Sequence, residues 1–376
     1  LAAAQISEGH KVRVVTLDRL FKDPQAQTLP ARDELDGIEI IRIPFKGSPR
    51  YPVALSVVDH IKSADIVHEH AIDFFFDFLA WTKPFHGRPL VATTHGGFFH
   101  TPYAARLKRI WFKTLTRVSA RAYDAIIACS TSDYDVFETL NVPSLVLIED
   151  GVNTAKFHAA ASPTFRKSIL WIGRFSQNKR LDRFMAFAQA LDQLDPEWRF
   201  IILGRPDDLQ VSDVEEIRRS AKLDDKVQII ASPQNDEIKQ SMNGCSFIAS
   251  SSDYEGFGMT AVEGLSAGLI PLLSDIPPYQ RLVRATGEGI ILNYADPGQA
   301  ARDVLSEAAN LQGGYEARRA ACMEAAARYD WTHISRKTSE LYQQILSGGA
   351  DGACGEDDAE TCSTKMDDRR VSIGKH

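Results

Sequence analysis

The feature that most restricts the fold of this chain is a repeated alternation of short, apolar runs with longer helical patterns. KVRVVTL, IEIIRIP, ADIVHEH, PLVATTHG, AIIACS and SLVLIEDGV occupy the first half, and SILWIGRF, WRFIILG, KVQIIA, CSFIAS, LIPLLSD and GIILN the second. A strand with one wet face alternates apolar and polar residues, whereas a strand covered by helices on both sides is apolar on both. Patterns such as LDRFMAFAQALDQL and VSDVEEIRRSA between the runs supply the covering layers. The expected class is therefore α/β, with two doubly wound, Rossmann-like domains. At 376 residues the chain is long enough to bury a core in each.

Strand patterning lapses into small and polar residues over 151–168, GVNTAKFHAAASPTFRKS, and resumes at Ile169. This divides the chain into an N-terminal domain over residues 1–158 and a second domain over 159–330. A final helical stretch over 331–348, WTHISRKTSELYQQIL, is placed to pack back on the first domain. Residues 349–376 are polar and aperiodic, and read as a disordered tail. The chain opens at Leu1 within a helical pattern that runs into a strand, so an upstream first strand is expected to be missing. In open α/β sheets ligands lie beyond the carboxyl ends of the strands, and two such edges face to face make an interdomain cleft.

A formal net charge of -7 argues against a nucleic-acid partner, whose phosphates demand a basic surface. The five cysteines are scattered, odd in number and without C-x-x-C spacing. They suggest neither a disulfide framework nor a zinc site, and fit a reducing cytoplasm. No run approaches the ~20 apolar residues of a membrane span, and no signal peptide is evident.

The chemistry concentrates in SSDYEGFGMTAVEGLSAGLIPL, residues 251–272, where Glu255 and Glu263 are separated by seven residues. Gly256 and Gly258 suit a loop that bends sharply or approaches a ligand, and a helix over Met259–Ala267 ends at Gly268. Glu255 then precedes the helix and Glu263 projects from its second turn. Between them lie the unpaired N–H groups of the helix start, around Phe257, Met259 and Thr260, which favour an anion such as phosphate. An acid on each side of a phosphate cradle suits hydroxyl recognition at the two ends of a sugar nucleotide; the alternative is a solvated loop acid and a helix-surface charge. Upstream, GRFSQNKRLD places Gly173, Arg174 and Lys179 at a strand's carboxyl end, where the two cations can neutralise a diphosphate leaving group without a metal or, more plainly, cap nearby acids. Asp253 precedes the glutamate loop and can support it, although a Ser-Ser-Asp turn is explanation enough for an acid there.

Gly173-Arg174 with Lys179, Glu255-x7-Glu263 within EGFGMTAVEGLSAG, and GVNTAKF at the joint resemble the retaining glycosyltransferases of family 4, which have the GT-B fold. The likeness spans nearly all of residues 1–346. It implies that Arg174 and Lys179 hold the donor diphosphate, Glu255 the hydroxyls of the transferred sugar, and Glu263 the nucleotide ribose. RIPFKGSPRYP, VHEHAIDFFFDFLAW and PLVATTHGGFFHTPYAARLKRIW resemble the branch that moves α-mannose from GDP-mannose to a polyprenyl-diphosphate-linked oligosaccharide, a cellobiosyl carrier used in exopolysaccharide assembly. There His95, beside Gly96 and Gly97, matches a histidine that approaches the donor sugar. The implied enzyme needs no metal and works as a peripheral protein on the cytoplasmic face of the inner membrane. Two departures stand out: the family's first strand and glycine-rich loop belong ahead of Leu1, and Arg180 follows Lys179 where a glycine is usual. Competing readings are a UDP-sugar donor or another acceptor, a sugar-nucleotide-binding protein without turnover, and a GT-B epimerase.

In ARLKRIWFKTLTRVSAR, Leu107, Ile110, Trp111, Leu115 and Val118 share one helical face, with Arg106, Arg109, Lys113, Arg117 and Arg121 largely on the other and Lys108 among them. This is the pattern of a helix lying on an anionic membrane surface with Trp111 as its anchor, or of a core helix with a solvated basic face. His68 and His70 alternate about Glu69, and no third ligand at useful spacing suggests a metal.

Overall fold

The computed structural model describes residues 1–19, 27–48, 51–95, 110–311 and 313–348. In the first half, β1 (Arg13–Leu17), β2 (Arg32–Leu35) and β3 (Ile38–Ile43) form a sheet in the order β1-β3-β2. β1 runs parallel to β3, and β2 antiparallel to it. A hairpin of β4 (Lys46–Ser48) and β5 (Tyr51–Val53) follows. Then β6 (Val67–His70), β7 (Leu90–Thr93), β8 (Ala125–Ala128) and β9 (Leu145–Leu147) lie side by side in sequence order, all parallel.

The second half is one wholly parallel sheet of β10 (Ser168–Phe175), β11 (Arg199–Pro206), β12 (Val227–Ala231), β13 (Phe247–Ser250), β14 (Ile270–Ser274) and β15 (Ile290–Leu292). Its order is β12-β11-β10-β13-β14-β15, so the winding reverses between β10 and β13. That reversal opens a crevice at the carboxyl ends of those two strands, which carry Gly173-Arg174 and the Glu255 loop.

The apolar runs became strands where helices cover them. β7 and β8 are buried along their whole length, and β14 likewise. The helix Leu181–Leu194 buries Leu181, Phe184, Met185, Phe187, Ala188 and Leu191, a three-and-four spacing that turns one stripe onto the second sheet. β1 departs from the expectation of burial on both faces: Arg13 and Thr16 are exposed, none of its residues is fully buried, and among the described strands it pairs with β3 alone. β2, β4 and β5 were not anticipated; β2 reads Arg-Asp-Glu-Leu and is exposed throughout, an edge strand without apolar periodicity.

The helix Trp331–Leu346 returns to the first half. Its Ile334, Leu341 and Tyr342 pack with Val91, Ala125, Ile127 and Ile148. The chain therefore crosses between the halves twice, and the crossings are laced together. Val152 pairs with Asp330, its N–H donating to the Tyr329 carbonyl at 2.7 Å, and the Thr154 hydroxyl donates to Asp330. Gly151 lies so close to Trp331 that a Cβ there would come within 2.5 Å of the indole. Cys129, Cys245 and Cys322 are buried free thiols. Among the described residues no helix is long and apolar enough to cross a membrane.

Candidate active site

The helix Met259–Ala267 begins at Gly258, whose φ of +101° is a backbone that side-chain-bearing residues rarely adopt. A Cβ at Gly258 would also come within 2.6 Å of the Tyr279 ring. Both constraints fix glycine there, and no side chain caps the helix start. The first N–H groups of the helix thus remain available to an anion, with Gly258, Met259 and Thr260 around them.

Glu255 is held from three directions. Lys179 Nζ lies 2.5 Å from its Oε1, the Ser252 hydroxyl donates to the same oxygen at 2.8 Å, and the Tyr279 hydroxyl donates at 3.1 Å. The Ser250 and Tyr279 hydroxyls are bonded in turn at 2.6 Å. Lys179 and Glu255 keep only 14% and 16% of their side chains exposed, so this is a largely desolvated pair. Sequence reasoning placed the two residues in one site but missed their contact and the Ser252–Tyr279 support.

Arg180 resolves the departure noted in the sequence. It sits in the left-handed region, φ +49° and ψ +50°, the conformation for which a glycine is the usual choice. The strain is of order 1–2 kcal/mol. Offsetting it, the guanidinium bonds both oxygens of Asp182 and one oxygen of Asp253, which Arg183 also engages. Asp253 does support the loop, through these two arginines.

Arg174 ends β10 and pairs with Asp207 at 2.5 Å, with 68% of its side chain exposed. Gly173 precedes it, its backbone in register with Gly204. Glu263 faces Lys156 of the GVNTAKF segment at 3.9 Å, and burial raises its carboxyl above the ordinary range, against the pull of Lys156. Lys156 is a further site residue that sequence reasoning passed over, although it lay within a quoted motif. Phe257 is buried against Tyr329 at 5.3 Å, so its ring belongs to the core beneath the loop.

In the first half, four neighbouring strands deliver side chains from their carboxyl ends. His70 ends β6, and His95, Cys129 and Asp150 follow β7, β8 and β9. His70 Nδ1 lies 2.8 Å from His95 Nε2, and His95 Nδ1 3.3 Å from Asp150 Oδ1. His68 stacks on His70 at 4.2 Å and bonds Thr93 and Tyr342. Burial lowers His68 well below an ordinary histidine and, with His95 nearby, holds His70 at about 4.

Of the basic stretch, Arg106, Lys108 and Arg109, with Leu107, lie outside the described residues, as do Gly96 and Gly97. The remainder is a π-helical turn, Phe112–Thr116, continued by the helix Arg117–Ala120. It buries Phe112, Thr116, Ser119 and Ala120, while Ile110 and Val118 are exposed alongside Lys113 and Arg121. The apolar stripe is thus not the face packed into the core. Trp111 remains 36% exposed, while its ring also packs edge-on against Tyr51 at 5.9 Å and its indole N–H donates to Asp77.

Known proteins resemble the chain along about nine-tenths of its length. A model of Glycosyltransferase Family 4 matches residues 1–156, and a model of Glycosyl transferases group 1 matches residues 153–324. The chain is 46% identical over 343 residues to the GDP-mannose:cellobiosyl-diphosphopolyprenol alpha-mannosyltransferase of Xanthomonas oryzae pv. oryzae, covering 91% of this chain and 90% of that protein. An enzyme of the same name from Komagataeibacter xylinus is 41% identical over 338 residues, 90% of this chain and 86% of the relative. Among solved structures, sucrose-phosphate synthase from Thermosynechococcus elongatus superposes with a TM-score of 0.66 at 15% identity, over 93% of this chain and 92% of that one. A glycosyltransferase from Rickettsia africae gives 0.64 at 18% identity, over 82% and 86%. With both halves matched by family models and relatives this similar along nine-tenths of its length, the chain is a GT-B glycosyltransferase belonging to family 4.

Proposed function

We propose that this enzyme transfers α-mannose from GDP-mannose, with retention, to a polyprenyl-diphosphate-linked oligosaccharide, the cellobiosyl carrier. The observation that carries the reading is 46% identity, over about nine-tenths of both chains, to two Xanthomonas enzymes named for that activity. The site geometry is consistent with it. In this reading Lys179, exposed Arg174 and the open helix start at Gly258, carried beyond the adjacent strands β10 and β13, hold the donor diphosphate. As the sugar–phosphate bond breaks, these groups take up the charge growing on the leaving oxygen, and that phosphate accepts the acceptor hydroxyl's proton on the same face. Charge neutralisation by side chains and backbone makes a divalent ion dispensable. Calorimetry with GDP-mannose, GDP, UDP-glucose and UDP tests the donor: tighter binding of the guanosine pair is expected, and preference for the uridine pair would overturn it. Product analysis then separates transfer, which lengthens the lipid-linked sugar, from epimerisation or bare binding.

The two glutamates act at opposite ends of the donor in this reading. Glu263→Ala is expected to weaken GDP binding by about 1–3 kcal/mol, since a carboxylate accepting ribose hydroxyls is lost. Glu255→Ala should leave GDP binding closer to the parent while depressing GDP-mannose turnover. If both variants bind GDP normally and lose GDP-mannose equally, this division of labour is wrong.

A peripheral membrane position also belongs to the proposal. Trp81 and Phe85, one turn apart on the helix Phe74–His86, are 50% and 89% exposed, and Trp81 shares a groove with Val118. Between Trp81 and the Lys113–Arg121 side chains runs a groove of about 490 Å³. Apolar rings rimmed by cations suit an anionic lipid surface, each base contributing ~1 kcal/mol. Replacing Trp81 and Phe85 with serine, or Lys113 and Arg121 with glutamate, should cut sedimentation with anionic vesicles at least about tenfold. Trp111→Ala reads both roles of this part-exposed ring: lost sedimentation in a folded protein supports an anchor, and a lowered melting temperature reports its contacts with Tyr51 and Asp77. Parent-like sedimentation by both surface variants would exclude this face.

A further inference from the structure

His95, Cys129 and Asp150 each offer a ligand atom, and the three atoms lie within 4.8 Å of one another. We propose that they form a binding site for a zinc-class divalent ion, with His70 as its supporting residue. The ligand set mixes imidazole, thiolate and carboxylate, which selects a borderline-soft ion such as Zn²⁺ over Mg²⁺ or Ca²⁺. With Zn–N near 2.0 Å and Zn–S near 2.3 Å, ligands of a tetrahedral ion stand about 3.3–3.8 Å apart. The 3.3 Å between His95 Nδ1 and Asp150 Oδ1 already meets that spacing, and the others need to close by about 1 Å.

The surroundings are those of a metal-ligating group. His95 ligates through Nδ1, so its proton sits on Nε2 and is donated to His70 Nδ1 at 2.8 Å, the bond that orients an imidazole toward a metal. The Cys129 thiol donates to Asp133 Oδ2 at 3.3 Å, a contact that the bound ion must replace, and Asp133 keeps the Thr94 hydroxyl at 3.0 Å as a donor. On metal binding the thiol proton passes to buffer and Cys129 Sγ becomes the anionic ligand. Three ligands come from the ends of three adjacent parallel strands, so the scaffold holds them without a flexible arm. The fourth position would be left to water. The spacing signal was invisible in the sequence because His95 and Cys129 stand 34 positions apart and Cys129 and Asp150 stand 21 apart.

The ion is not a cofactor in this scheme. His95 matches the histidine that approaches the donor sugar, so an occupied site should inhibit transfer; that consequence, unlike binding itself, rests on the proposed function. Cobalt(II) titrated into the full chain without donor reads the site directly. One equivalent should give a thiolate-to-cobalt charge-transfer band and the strong visible bands of a four-coordinate ion, both abolished by added Zn²⁺. Cys129→Ser should lose the charge-transfer band, and Asp150→Asn should weaken cobalt binding at least about tenfold. A weak six-coordinate spectrum without a thiolate band, or parent-like titration of Asp150→Asn, overturns the assignment. Should Cys129→Ser fail to fold, Asp150→Asn decides, since its carboxylate is part-exposed. Because no donor is present, a wrong sugar nucleotide leaves this result untouched.

Discussion

Lys179→Ala is expected to reduce sugar transfer about 10²–10³-fold, the scale for removing one preorganised group that meets charge developing on a leaving oxygen. Part of that loss could arise from the fold, because Glu255 would be stranded with Ser252 and Tyr279 as its remaining donors. For a pair this desolvated the stability cost is about 1–3 kcal/mol. A second variant separates the two effects. Lys179→Met with Glu255→Gln removes both charges together, so stability should recover toward the parent while transfer stays lost. If the double variant regains activity along with stability, Lys179 serves the architecture and not the diphosphate. Unchanged transfer in the single variant would discard its role altogether.

Gly258→Ala carries the largest expected loss of stability, about 3–5 kcal/mol. Roughly 1–3 kcal/mol comes from forcing a side-chain-bearing residue to φ +101°, and a similar amount from the Cβ driven into Tyr279. Set against a total near 5–15 kcal/mol, this should move the urea midpoint severely. Gly256, two residues earlier, is the control. A Cβ there meets nothing within 4 Å, so Gly256→Ala should cost less than about 1 kcal/mol. Equal midpoints for the two variants would mean that the helix start relaxes freely around Gly258.

These two glycines show what a sequence can and cannot disclose. EGFG announced a loop opening onto a helix, and the helix Met259–Ala267 has the expected bounds, as do Leu181–Leu194 and Trp331–Leu346. Their apolar stripes and terminal signals are local, so a linear reading reaches them. Which glycine is sterically required is not local: it depends on Tyr279, twenty-one residues downstream. The same holds for Lys179 and Glu255, brought together across 76 residues by adjacent strands β10 and β13. Strand ends were overread by a residue or more, as in ADIVHEH, because apolar content outlasts ladder pairing. β2 escaped notice since its four residues are exposed and mostly charged. The outward apolar stripe at Ile110 and Val118 was legible as a stripe, but its direction depended on Phe112, Thr116, Ser119 and Ala120 filling the inner side.

The laced double crossing has a mechanical consequence. A joint made of one strand swivels about three axes, whereas two strands bonded side by side, Val152 to Tyr329 and Thr154 to Asp330, resist twisting and sliding. What survives is a bend about the line joining them, the freedom of a door and not of a ball in a socket. Lys179 in the second half and His95 in the first would then approach one another along a single arc. Cutting the chain before Trp331 would leave one tether, and with it the loss of that arc.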